Sequence, residues 1–89
     1  MITGRQIRAA RGLLGWSQQE LADNAVVSTN AVARLERGQV DSRSSTVRDI
    51  ERALIAAGIE FIATAGGRGE GVRLAVDETA GNKSKIRRR

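Results

Sequence analysis

Apolar residues recur at helical spacing through the first two thirds of the chain and at alternate positions in the last third. Ile7, Ala10 and Leu14, with Leu13 alongside, mark one face of a helix over residues 4–14. Thr3 stands at its N-cap, Gln6 completes a capping box, Ile2 and Ile7 form a hydrophobic staple, and Gly15 ends it. The device recurs in a second helix, with Ser17 as cap, Glu20 as box partner, Trp16 and Leu21 as staple, and an inner face of Leu21, Ala22 and Ala25. After a turn at Val26-Val27, Ser28 caps a third helix reaching about Arg37. There Val27 and Val32 pair as the staple, Val32 and Leu35 face inward, and Gly38 sits where a C-terminal cap glycine belongs.

A polar loop over residues 39–44 leads to a fourth helix, capped by Ser45 or Thr46, with Val47, Ile50 and Leu54 on its core side and Gly58 as its stop. The period then changes. Residues 59–63 and 72–76 read as strands separated by the glycine-rich run 66–71, which predicts a β-hairpin with a flexible tip. Ile59 and Phe61 share one strand face and Ile62 lies on the other, while Val72, Leu74 and Val76 alternate with Arg73 and Ala75. Residues 77–89 show no periodicity and end in three arginines, the pattern of a disordered basic tail. The expectation is a mostly α chain: a four-helix domain over 1–58, a hairpin over 59–76 that meets a second subunit, and the tail.

Composition narrows the chemistry. Apolar residues make up 40% of 89, enough for one small core, and with Trp16 and Phe61 the only aromatics that core must be aliphatic. Cysteine and histidine are absent, which removes disulfides, thiol chemistry, the usual zinc ligands and the commonest general base together. No enzyme, cofactor or metal site is expected. No run approaches the roughly 18 apolar residues of a membrane span, and the start lacks a signal-peptide pattern, so a cytoplasmic protein is expected. The formal charge of +5 points to a polyanionic partner, but the tail carries +3 of it. The body is only mildly basic. Binding there must rest on where groups stand rather than on bulk charge.

Residues 17–38 offer that placement. Two short helices joined by a tight turn can cross steeply, so that the second stands out far enough to enter a DNA major groove. Its apolar stripe is narrow, and Thr29, Asn30, Ala33 and Arg34 fall on the other side. Asn can pair with adenine through two hydrogen bonds, Arg with guanine likewise, and Thr offers a hydroxyl and a methyl. The N-termini of both helices supply backbone N–H groups for phosphates. The glycine-rich run, by contrast, is followed by neither a Gly-Lys-Ser/Thr sequence nor a helix, so it is no phosphate loop.

The run Arg8-x-x-Arg11, Trp16-Ser17-Gln18-x-Glu20-Leu21-Ala22, Val27-Ser28 and Val32-x-Arg34-Leu35-Glu36-Arg37-Gly38 resembles the Xre / lambda Cro–cI type of helix-turn-helix regulator over roughly residues 3–57. The resemblance implies a four-helix, lambda-repressor-like DNA-binding domain that meets operator DNA as a homodimer, with the second motif helix in the major groove. By position it places Thr29, Asn30 and Arg34 at base edges and Gln18, Ser28, Arg37 and Arg43 at phosphates, and it pairs Arg11 with Glu36 as a structural link. Two departures stand out. Relatives usually carry glycine at the turn where this chain has Val26, and many have a fifth helix in place of the hairpin.

The function expected is that of a cytoplasmic, nucleoid-associated bacterial repressor reading a palindromic operator in double-stranded DNA. Asp23 leaves an acidic group on the exposed side of the first motif helix, so contact with RNA polymerase stays open. The alternatives are an antitoxin-type regulator with a protein partner, and a protein-interaction adaptor that kept the fold.

Overall fold

A computed structural model describes residues 2–39 and 44–76. Helices α1 (Gly4–Leu14), α2 (Gln18–Ala25), α3 (Thr29–Glu36) and α4 (Ser44–Ala56) precede strands β1 (Ile59–Ile62) and β2 (Gly71–Leu74). Each of the first three helices begins where a cap was expected. Thr3 Oγ1 accepts from Gln6 N at 3.2 Å while Gln6 Oε1 accepts from Thr3 N at 2.9 Å, and Ser17 with Glu20 repeats this reciprocal pair at 3.0 and 2.7 Å. Ser28 Oγ accepts from Ala31 N at 3.0 Å. Each bond satisfies a donor that the first helical turn cannot use internally, worth about 1 kcal/mol per cap.

One cap expectation fails. Helix α4 already includes Ser45 and Thr46 in its first turn, so neither stands at its boundary. Most of the loop before it, the 77–89 tail and Arg43 lie outside the described residues.

The core forms where the helical stripes converge. Ile7, Ala10, Leu21, Val32, Ile50 and Leu54 are at most 1% exposed, and Ile2, Trp16 and Val27, the outer members of the three staples, pack against them. Burying each large aliphatic side chain contributes roughly 1.5–3 kcal/mol. Trp16 is therefore part of the packing around the core rather than a free aromatic platform.

The hairpin belongs to the same core. β1 and β2 pair antiparallel with Ile59 opposite Leu74 and Phe61 opposite Val72, and these four side chains form the inner face. Ile59 is buried outright. On the outer face Glu60 and Arg73 make a two-pronged ion pair at 3.1 and 3.0 Å, with Ile62 beside them in the register, so that face is more polar than its sequence suggested. The strands are shorter than expected: Ala63 falls after β1, and Ala75 and Val76 fall after β2, with Val76 exposed. The glycine-rich tip is a tight turn. Ala65 and Arg68 exchange two backbone hydrogen bonds around Gly66 and Gly67, whose φ values of 58° and 80° are both positive, as a two-residue hairpin turn requires.

Gln6 fastens the hairpin to the helices. Its Nε2 donates to Ile62 O at 3.3 Å and to Gly71 O at 2.9 Å, so one side chain joins the cap of α1 to both strands. At 5% exposure those donors would be costly to leave unpaired. Beside it, Glu70 accepts from Thr3 Oγ1 at 3.2 Å and from Arg5 Nη2 at 3.0 Å.

Candidate nucleic-acid interface

Helix α3 is positioned from behind by α1. Glu36, 6% exposed, takes Arg11 Nε on Oε2 at 2.5 Å and Arg11 Nη2 on Oε1 at 2.8 Å, and the same guanidinium donates through Nη1 to Trp16 O at 2.9 Å. The pair expected from resemblance is thus a three-way joint between α1, the α1–α2 turn and α3. Burial pushes the Glu36 carboxyl up, but hydrogen bonds from Arg11 and Gln18 and the charges of Arg11 and Arg8 outweigh it and hold the group below its ordinary value. The helices also approach closely at Gly4, where any side-chain carbon would collide with the Leu35 carbonyl oxygen.

Three helix ends share one geometry. At the ends of α1, α2 and α3 the residues Gly15, Val26 and Gly38 take φ values of 70°, 58° and 83°. At each, the next residue's N–H reaches back five positions: Trp16 to Arg11, Val27 to Ala22 and Gln39 to Arg34, all at 3.0 Å. This is the Schellman pattern. The departure at the turn therefore resolves as strain: Val26 adopts the left-handed conformation that glycine would hold freely, and it is the single non-glycine residue with positive φ among those described. Its side chain is 87% exposed and recovers little of the cost through packing.

With α3 held by Ala31, Val32, Leu35 and Glu36, its opposite side carries the expected row. Asn30, Arg34 and Arg37 are exposed; Thr29 and Ala33 are half-buried. Arg34 makes no ion pair among the described residues, so its guanidinium is available to an outside acceptor. Ser28 uses its oxygen for the cap and keeps a hydroxyl proton to give. Gln18 is less free than expected, since its Nε2 donates to Glu36 Oε1 at 3.1 Å. That leaves its second amide hydrogen to donate elsewhere. The structure thus brings Ser28, Thr29, Asn30, Arg34 and Arg37 onto one helix and its ends, with Gln18 tied to that helix's last residue.

Sequence reasoning missed Gln19. Its Oε1 accepts from the Thr29 hydroxyl at 2.9 Å and its Nε2 donates to Asp23 Oδ1 at 2.8 Å, which links the exposed side of α2 to the first residue of α3. The spacing of Gln19 and Asp23, four apart on a helix, is legible in the sequence; the reach to Thr29 is not, because it depends on the crossing of the two helices. A cleft of about 380 Å³ lies between α1 and the hairpin, but none of the predicted contact residues lines it, and its Arg5 and Glu70 already pair at 3.0 Å. Among the described residues no helix is long and apolar enough to cross a membrane, and no group of three or more acidic side chains could hold a metal.

Comparison with known proteins agrees with this geometry. The model of a family described as Helix-turn-helix, HTH_3, matches residues 7–56, more than half of the chain, from within α1 to the end of α4. No curated protein matches the sequence.

Proposed function

This chain belongs to the helix-turn-helix family HTH_3, a family of DNA-binding regulators, and from that premise we propose that it is a transcriptional repressor that binds a palindromic operator as a homodimer. The observation that carries the reading is the two-sidedness of α3: one side buried and locked by the Arg11–Glu36 pair, the other presenting Thr29, Asn30 and Arg34 outward. Asn30 and Arg34 match the donor and acceptor edges of adenine and guanine in the major groove. Ser28, Arg37 and the second amide hydrogen of Gln18 serve the phosphates that fix register, and Arg43 extends that set from the loop after α3. Phosphate contacts supply affinity; the three base-facing residues supply selectivity.

The dimer is supported by exposed apolar groups on α4, on β1 and just after β2: Ile55 at 53%, Ile62 at 36% and Val76 at 57% exposure. A twofold arrangement sets two α3 helices about 34 Å apart, one turn of DNA, and reads an inverted repeat. Control then comes from protein concentration or from a partner protein acting on this dimer.

Selection of bound fragments from random duplex DNA, followed by binding measurements with Asn30→Ala and Arg34→Ala, tests the reading. Each substitution costs about 1–3 kcal/mol of discrimination at its own base position, together bringing specific binding toward the non-specific level with the thermal melt unchanged. Unaltered selectivity in the double variant would refute the assignment of α3. Sedimentation of the full chain checks the dimer, and the selected half-site spacing checks its geometry.

A further inference from the structure

The Asp23–Gln19–Thr29 chain of hydrogen bonds has a direction. As a carboxylate, Asp23 only accepts, so the side-chain NH2 of Gln19 must turn toward it, at 2.8 Å. The Gln19 carbonyl oxygen is then the atom facing Thr29, and the Thr29 hydroxyl, 2.9 Å away, must be the donor. A hydroxyl has one proton. With that proton committed to Gln19, Thr29 turns only lone pairs toward anything that approaches the outer side of α3.

We infer that Gln19 is a positioning residue that makes Thr29 an obligatory acceptor toward DNA, so that this position selects a base carrying an exocyclic amino group. The inference deepens the reading of α3 given above and rests on it. In the major groove adenine N6 and cytosine N4 donate, whereas guanine offers N7 and O6 and thymine O4, all acceptors. Thr29 therefore favours adenine or cytosine on the strand it faces and meets guanine or thymine lone pair against lone pair. A free threonine hydroxyl would accommodate all four by rotating its proton. Approach of DNA expels water from the exposed Gln19 and Asp23, so the competition that loosens such surface bonds weakens where the choice is made.

The test is fragment selection from random duplex DNA with the full chain and three variants. Thr29→Val locates the base position, as the one whose preference it erases. The wild type is expected to show adenine or cytosine there, on the strand facing α3. Gln19→Leu frees the hydroxyl and should relax that one position by about fivefold to tenfold, the scale of one hydrogen bond, leaving the positions read by Asn30 and Arg34 intact. Gln19→Glu keeps an acceptor for the hydroxyl, so it should retain the preference while weakening affinity on every sequence through its charge. Circular dichroism of each variant verifies the fold. Guanine or thymine preferred at the Thr29 position would overturn the proposal, as would a Gln19→Leu protein with unchanged preferences or with equal losses on all sequences. Selection by Asn30 and Arg34 with no position answering to Thr29 would sink this inference and spare the DNA reading. A wild type that selects no sequence at all would sink both.

Discussion

The two joints that flank α2 share a backbone path and differ in what holds them. At the first, Gly15 enters the left-handed region without a side chain to resist it, and Arg11 clamps Trp16 from both sides, accepting its N–H and donating to its carbonyl. At the second, Val26 takes the same conformation against the preference of a β-branched residue, and no side-chain hydrogen bond among those described reaches the backbone of Val26 or Val27. The joint that leads into α3 is thus the strained and unclamped one. The path of α3 must then be set by what lies behind it: the close approach at Gly4, the packing of Val32 and Leu35, and the Arg11–Glu36 pair. Strain is tolerated where the rest of the structure over-determines the geometry.

The contrast is broken most severely by removing the clamp. Glu36→Ala leaves Arg11, whose side chain is 17% exposed, without its buried partner, and should cost about 3 kcal/mol in urea unfolding. Making the joints alike by Gly15→Val should cost about 1–2 kcal/mol, the price of a left-handed residue that bears a branched side chain, read as a lower denaturation midpoint at constant m-value. The reverse change, Val26→Gly, should stabilise by about 1 kcal/mol, because strain relief exceeds the added freedom of the unfolded chain and little packing is lost at 87% exposure. A Val26→Gly protein less stable than wild type would show that the left-handed turn is not strained.

The smallest effect is in acid. The folded Glu36 carboxyl lies below the ordinary glutamate value, so its stabilisation is present above that ordinary value and is lost as pH falls through the lower folded one. Glu36→Gln should flatten this part of the acid limb in a pH series of thermal melts; a limb as steep as that of the wild type would assign the loss to the exposed pairs of Glu60 and Glu70.

The starts of α1, α2 and α3 were legible because capping is local: in α1 and α2 a hydroxyl and its partner three residues on satisfy the same helical turn, and Ser28 caps α3 by its hydroxyl alone. The outward row on α3 was legible for the same reason, since helical period alone separates Asn30 and Arg34 from Val32 and Leu35. The start of α4 was misplaced because serine and threonine also occupy first turns, and nothing in Ser44-Ser45-Thr46 says which stands outside.

What the sequence determined by itself, then, are the caps of α1, α2 and α3, which lie within one helical turn, together with the side of α3 turned away from the core. Only the tertiary structure decided that Gln6 would fasten the hairpin as well as cap α1, that Gln19 would face Thr29, and that Val26 would bend where glycine is expected. Those outcomes depend on how helices cross and where strands dock, and chain segments ten to sixty-five residues apart meet only after the core has closed.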